Sequence, residues 1–335
     1  MLTRPAAKMF YSVAGRTVLI EAHDEWSIQA VSELFSGWFL NSISGDDSGS
    51  FDATIRVHCG VSSPAIPSGF TSFEIGHGGT RHTDNQSFYI EIDGSLVYFA
   101  ADRPCVDLWV REPYEIASPI VAQLLSHALS PALRRCHVFE IHSAGVVSPR
   151  GDFAVMIAGP SGSGKSTLTS LLASCGWSYL SDDILLLRET DREIEALPFR
   201  RFFALTEATM AATNIQGSSF VRSAKERITP QDHFSSTQVQ TATPRAIFFT
   251  SVAHEQSSRV VPLTAKESMT RLLRLCPWAS YDKPTSVEHL RVLGRLANST
   301  AAFELHSGAD ILEKPGRADQ LVHSVFSETA MSYVP

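Results

Sequence analysis

The segment Gly159-Pro160-Ser161-Gly162-Ser163-Gly164-Lys165-Ser166 fits the pattern G-x-x-x-x-G-K-[ST] at every fixed position. That pattern names a ligand chemistry. Its glycines let backbone N–H groups turn inward around a triphosphate, Lys165 reaches the β- and γ-phosphates, and the Ser166 hydroxyl binds Mg²⁺. An acidic pair, Asp182-Asp183, stands 17 residues after Lys165. Beside a magnesium triphosphate, one carboxylate can bind the metal and the other can take the proton from an attacking hydroxyl. Neighbours in a flat strand point to opposite faces, so both reach one site only if the backbone bends there. Standing alone, Ser181-Asp182-Asp183 would read as a solvated turn before a buried strand. The loop upstream is what favours chemistry.

Other residues bear on the same site. His142, within Phe139 to Val147, precedes the strand that enters the loop, and it comes near the phosphates if those strands pair. The competing reading is a partly buried core histidine. Glu207 is a candidate acid on the metal, or else an exposed helix residue. Arg188, Arg192, Arg200 and Arg201 cluster after the acidic pair, and Arg222, Lys225 and Arg227 follow. Phosphoryl transfer needs a cation on the equatorial oxygens, so one of these is a candidate while most are solvated charges. The histidines show no H-E-x-x-H or comparable spacing, so the metal is expected to arrive with the nucleotide.

The elements around the loop read clearly. Phe153 to Ala158 predicts a buried strand entering it, and Ser166 to Ala173 predicts the helix leaving it. Upstream, residues 9–22 predict a hairpin around Gly15-Arg16, and Trp26 to Leu40 carries the apolar spacing of one helix face. Strands are expected over Thr54 to Cys59 and Val106 to Val110, and Asp93-Gly94 marks a hairpin between Ser87–Ile92 and Ser95–Ala100. The first 115 residues therefore read as β-rich with one helix. The texture changes at a helix from Ile116 to Arg135, ended near Pro131, so the boundary is set at 115/116. His137 to Val147 is expected as one strand, and Trp177 to Leu187 contains another. Residues 213–243 form a long polar stretch. Ala246 to Thr250 and Val260 to Leu263 are strands around a polar turn, Lys266 to Leu275 is helical, and Ala302 to Leu305 is a late strand.

Composition narrows the partners. The 335 residues carry a net charge of −7, which argues against nucleic acid as a ligand, since no basic excess exists to neutralise its phosphates. Cys59, Cys105, Cys136, Cys175 and Cys276 include no C-x-x-C pair, so a reducing, cytoplasmic location is the simpler expectation. No signal-peptide pattern and no apolar run long enough for a membrane span is seen.

The segments "IHSAGVV" and "MIAGPSGSGKSTLTSLLASCGWSYLSDDILLL" together resemble the HPr kinase/phosphorylase superfamily, in particular its shorter HPr-kinase-related branch. The match covers His137 to Arg188 and runs on more faintly through "AIFFTSV" and "VVPLTAKESMTRLL". The resemblance implies an α/β fold: a P-loop kinase domain over 116–335, preceded by a smaller β-rich α+β domain over 1–115 with no assignable motif. It implies that Gly159 to Thr167, including Ser161, Gly162, Ser163, Gly164 and Thr167, bind ATP. It also implies that Asp183 is the general base, that Asp182 helps hold Mg²⁺ and the lysine, and that His142 lines the phosphate site. Some members of this branch phosphorylate a serine of a ribosomally made precursor peptide, including lasso-peptide precursors. Self-association is implied as well. The stretch after Leu187 lacks the E-I-R-G-L-G signature of true HPr kinases, so HPr as substrate and reverse phosphorolysis are not implied.

The leading expectation is an ATP-dependent kinase acting on a Ser or Thr hydroxyl of a peptide or protein. A small-molecule kinase would use the same site, and a closed pocket rather than an open groove would distinguish it. A non-catalytic nucleotide-binding module is disfavoured by the intact Lys165, Ser166, Asp182 and Asp183. A transporter ATPase should carry L-S-G-G-Q and a GTPase N-K-x-D, and the chain has neither.

Overall fold

Two tight turns organise the start of the chain. Ala14 and Gly15 take φ of 51° and 73°, and Asp93 and Gly94 take 48° and 71°. Paired left-handed residues match the twist of antiparallel strands, so each turn closes a hairpin. The structure is a computed structural model and describes residues 7–38, 40–43, 50–75, 78–100, 103–216, 225–253, 255–314 and 316–332.

The first elements are β1 (Ala7–Val13), β2 (Arg16–Ala22), α1 (Glu25–Gly37), β3 (Asn41–Ile43) and β4 (Ala53–Cys59). Then come β5 (Thr71–Ile75), β6 (Gly79–Thr83), β7 (Ser87–Ile92), β8 (Ser95–Ala100), β9 (Cys105–Val110) and α2 (Pro119–Arg135). The nine strands make one sheet, in the order β3-β1-β2-β4-β9-β8-β7-β6-β5. The chain continues through β10 (Val138–Ile141), β11 (Ser143–Val147), β12 (Ala154–Ala158), α3 (Lys165–Ser174), β13 (Ser178–Ser181), β14 (Leu185–Glu189) and β15 (Ile194–Pro198). Next are β16 (Phe203–Leu205), α4 (Glu207–Ala212), β17 (Glu226–Ile228), β18 (Pro244–Val252), β19 (Arg259–Leu263) and α5 (Ala265–Leu275). The last are α6 (Trp278–Tyr281), α7 (Lys283–Ser299), β20 (Ala301–Ser307), α8 (Asp310–Glu313) and α9 (Arg317–Ser332). The fold is mixed α/β. No described helix is long and apolar enough to cross a membrane.

The chain divides into two units, Met1–Phe139 with Trp278–His289, and Glu140–Pro277 with Leu290–Pro335. The division falls one helix later than the expected 115/116, because α2 packs on β9, β4 and β8 of the first unit. Its Val121, Leu124, Ala128, Leu129 and Ala132 are buried there. The helix also runs through Pro131 instead of ending near it. A proline in a helix interior costs about 3 kcal/mol. Burial of the following Leu133 offsets about 1.5–3 kcal/mol of that, and Ala132 adds to it.

The second unit is built on a six-stranded sheet, β13-β11-β12-β18-β20-β19. Strands β12, β18 and β20 run parallel at its centre. Two expectations change here. His137 to Val147 is two strands, broken at His142. The strands β18 and β19 are not neighbours, because β20 pairs with both. Residues 217–224, including Arg222, lie outside the described residues. The rest of the polar stretch contains β17 and single bridges at Gln238 and Ala242.

Candidate active site

Strand β12 lies fully buried in the centre of the sheet and delivers the chain into the glycine loop, which α3 carries away. Leu168, Leu171 and Leu172 sit on one face of α3 and are buried in the core, which fixes the helix against the sheet. The N-cap of α3 is Gly164, with φ 96°, and no side chain caps the helix. Its first N–H groups therefore point at an anion site without a competing internal acceptor. Gly159 has a different reason to be glycine. A Cβ there would lie 2.5 Å from Ser163 Oγ and 3.0 Å from the Thr250 carbonyl oxygen. Ser163 is in turn tied to Thr250 of β18, with hydroxyl oxygens 3.0 Å apart.

Lys165 starts α3 and folds back over the loop. Its ammonium donates to the carbonyls of Gly159 (2.8 Å) and Pro160 (3.1 Å) and to His142 Nε2 (2.9 Å). Burial pushes its pKa down to about 8, against the opposing pull of Asp183. Because His142 Nε2 accepts from the ammonium, the imidazole is neutral and carries its proton on Nδ1. Burial, which lowers the pKa of His142, keeps it neutral. Nδ1 lies 3.3 Å from Asp183 Oδ1, and the Arg200 guanidinium donates to Asp183 Oδ2 at 2.8 Å. Asp183 is thus held from both sides.

The two carboxylates separate because the chain breaks between β13 and β14. Asp183 turns to the cavity and Asp182 turns inward, with no exposed surface. Asp182 Oδ2 accepts from the Ala204 N–H at 2.9 Å. Burial pushes its pKa up to about 6, opposed by that N–H and by the nearby Ser166 hydroxyl. Its other oxygen, Oδ1, is buried without a hydrogen-bond partner. A buried, unpartnered carboxylate oxygen beside a serine hydroxyl fits a hard divalent cation such as Mg²⁺, which binds one or two protein oxygens and completes its shell with phosphates and water. Among the described residues no group of three or more His, Cys, Asp or Glu forms a metal cage.

These residues surround a cavity of about 230 Å³. Ser161, Gly162, Gly164, Lys165, Ser166 and Thr167 form one wall. His142 and Asp183, from the two strand breaks, form another, and Ala204, Thr206, Thr209, Lys225 and Val252 close the rest. Glu207 does not reach the cavity: it is exposed in the first turn of α4. Thr206 and Thr209, on either side of it, line the cavity instead. Thr209 also bonds Thr167 across the site, with oxygens 2.8 Å apart. Neither threonine belongs to the glycine loop or the acidic pair. Thr206 is the N-cap of α4, and a Thr before a short helical run is the signal that could have flagged it. Of the arginine cluster, Arg200 reaches the carboxylate pair, whereas Arg188 is taken up by Glu195. Compared with known proteins, the chain matches no family model and no curated sequence.

Proposed function

We propose that this chain is an ATP-dependent kinase that transfers the γ-phosphoryl group to a Ser or Thr hydroxyl of a peptide or protein. The observation that carries the reading is the chain of contacts Lys165–His142–Asp183–Arg200 around the glycine-loop cavity, with the unpartnered Asp182 oxygen beneath it. It combines phosphate donors, an oriented base and a cation in one place, as phosphoryl transfer requires. On this reading the second unit is a P-loop kinase domain of HPr-kinase type.

Lys165 exchanges its loop carbonyls and His142 for phosphate oxygens as the nucleotide binds. Ser166 and Asp182 would hold Mg²⁺, which supplies charge neutralisation at the phosphates. His142, neutral, keeps its Nδ1 proton on Asp183 Oδ1 and so orients the carboxylate. Asp183 accepts the acceptor's proton as the new P–O bond forms and the bond from the γ-phosphorus to the bridging oxygen breaks, releasing ADP. Arg200 stands where its guanidinium can move from Asp183 to the transferring group. A cavity of about 230 Å³ is small beside the 300–1,000 Å³ typical of ligand pockets. It suits the phosphates of a nucleotide.

Incubation with labelled ATP, magnesium and candidate peptides, read by mass shift, tests this reading. Asp183→Asn should bind nucleotide and lose transfer by about 10²–10⁴-fold, and Lys165→Ala should lose nucleotide binding. Full transfer by Asp183→Asn would remove the base from Asp183.

A further inference from the structure

Beside the cavity, β16 and β17 form a two-stranded ribbon that sets Phe203 against Ile228, Ala204 against Arg227 and Leu205 against Glu226. Its inner face is apolar, with Phe203, Leu205 and Ile228 buried in the core. Residues opposed across an antiparallel pair share a face, and neighbours along a strand alternate. Ala204 and Arg227 therefore lie on the outer face, with Phe202 and Lys225 one step before each strand on the same side. Ala204 and Lys225 line the phosphate cavity, so this outer face borders it.

The outer face is basic in a chain whose net charge is −7. Arg227 and Lys225 are exposed. The Arg227 guanidinium lies over the Phe202 ring, 4.7 Å from its centroid, and Arg200 lies 5.7 Å from the same centroid. A ring that takes the flat face of a guanidinium leaves its N–H edges free to meet a carboxylate side-on. Lys225 lines the phosphate cavity, whereas Arg227 is not among its lining residues. The ribbon offers its charges on the side from which an acceptor must come.

We propose that the acceptor is an acidic peptide segment, in which an Asp or Glu side chain flanking the phosphorylated Ser or Thr docks on Arg227 beside Phe202. This rests on the kinase reading and names its substrate class.

Three synthetic peptides of one length, each with a single central serine, test it on the full chain. They carry Glu, Gln or Lys at the flanking positions. Binding is read by fluorescence anisotropy of labelled peptide, and transfer by mass shift with magnesium and ATP. The Glu peptide should bind about tenfold more tightly than the Gln peptide, and added salt should erase the difference. Arg227→Gln should reduce that preference, and Arg227→Glu should turn it toward the Lys peptide, with KM for ATP unchanged in both. Equal binding or equal transfer with Glu and Gln peptides would overturn the inference while leaving the kinase reading intact. A rise in KM for ATP that is the same for every peptide would overturn it too, by giving Arg227 to the nucleotide. Competition by single-stranded DNA in place of the Glu peptide would do the same. Salt-sensitive binding of the Glu peptide with no transfer to any peptide would leave the acidic-peptide surface standing and sink the kinase reading instead.

Discussion

Lys165 and Asp182 are displaced in opposite directions, and each displacement would be relieved by a ligand of the opposite charge. Burial brings Lys165 down to about 8, so at pH 8–9 a large share of the free protein lacks that ammonium charge. Phosphates on the loop would restore it. Nucleotide binding at pH 8.5 should therefore take up a proton, and affinity should fall as pH rises above about 8. Calorimetry in two buffers of different ionisation heat measures this, and zero uptake at pH 8.5 would contradict the assignment. Asp182 behaves in the reverse sense. Its folded pKa is raised to about 6, so its contribution to stability is full below 3.8 and is lost as pH rises through about 6. At neutral pH its buried charge is a cost. Asp182→Asn should therefore have a higher denaturant midpoint than wild type at pH 7.5 without metal, and magnesium with nucleotide should narrow the gap. A lower midpoint for the variant under metal-free conditions would show that the carboxylate is satisfied from within the protein.

The loop and helices show how much an element depends on its neighbours. At Gly159 a methyl group would press on Ser163 and on the Thr250 carbonyl of the adjacent strand. Backbone cannot yield as a flexible side chain does, so Gly159→Ala should cost about 1–3 kcal/mol and weaken nucleotide binding. Gly294 lies inside α7, and a Cβ there would meet nothing within 4 Å. Gly294→Ala should instead stabilise by about 0.5–1 kcal/mol, through helix propensity alone. Thermal melts of both variants separate the two glycines, and equal effects would remove the packing argument. The same contrast explains what was legible in the sequence. The strand entering the loop, the helix leaving it and the Asp93-Gly94 hairpin are local patterns, and they stand where the residues predict. The break at His142 was not legible, and the one that holds Asp182 and Asp183 was legible only as the bend both carboxylates would need. Both breaks exist because the chain changes sheet there, which no run of neighbours encodes. Likewise, Glu207 and Thr206 are adjacent in sequence, and only packing decides which faces the cavity.

At the scale of the molecule, the first unit is discontinuous: the chain leaves it after Phe139 and returns with Trp278–His289. The returning segment serves the most deeply buried charges of that unit. Arg134 and Arg135 converge on Asp282, with Nε–Oδ2 and Nη1–Oδ2 distances of 2.8 Å and 3.2 Å. Arg81, brought down to about 9 by burial, stacks on Phe88 and donates to the Tyr281 carbonyl at 2.5 Å. Asp282 lies 148 residues after Arg134 and 147 after Arg135, and such non-local closure slows folding. Removing the carboxylate would leave buried guanidinium groups uncompensated, which costs about 3–5 kcal/mol. Asp282→Asn in the full chain should lower the denaturant midpoint accordingly at pH 7. Burial alone would raise the pKa of Asp282, but Arg134 and Arg135 overcome this and hold it below 3.8. Its stabilising contribution is therefore full above 3.8 and is lost as pH falls through the lower folded value. Wild type and variant should converge in acid. Equal midpoints at pH 7 would mean that water reaches these guanidinium groups. A gap that persists in acid would mean that the loss comes from packing of the returning segment instead of charge.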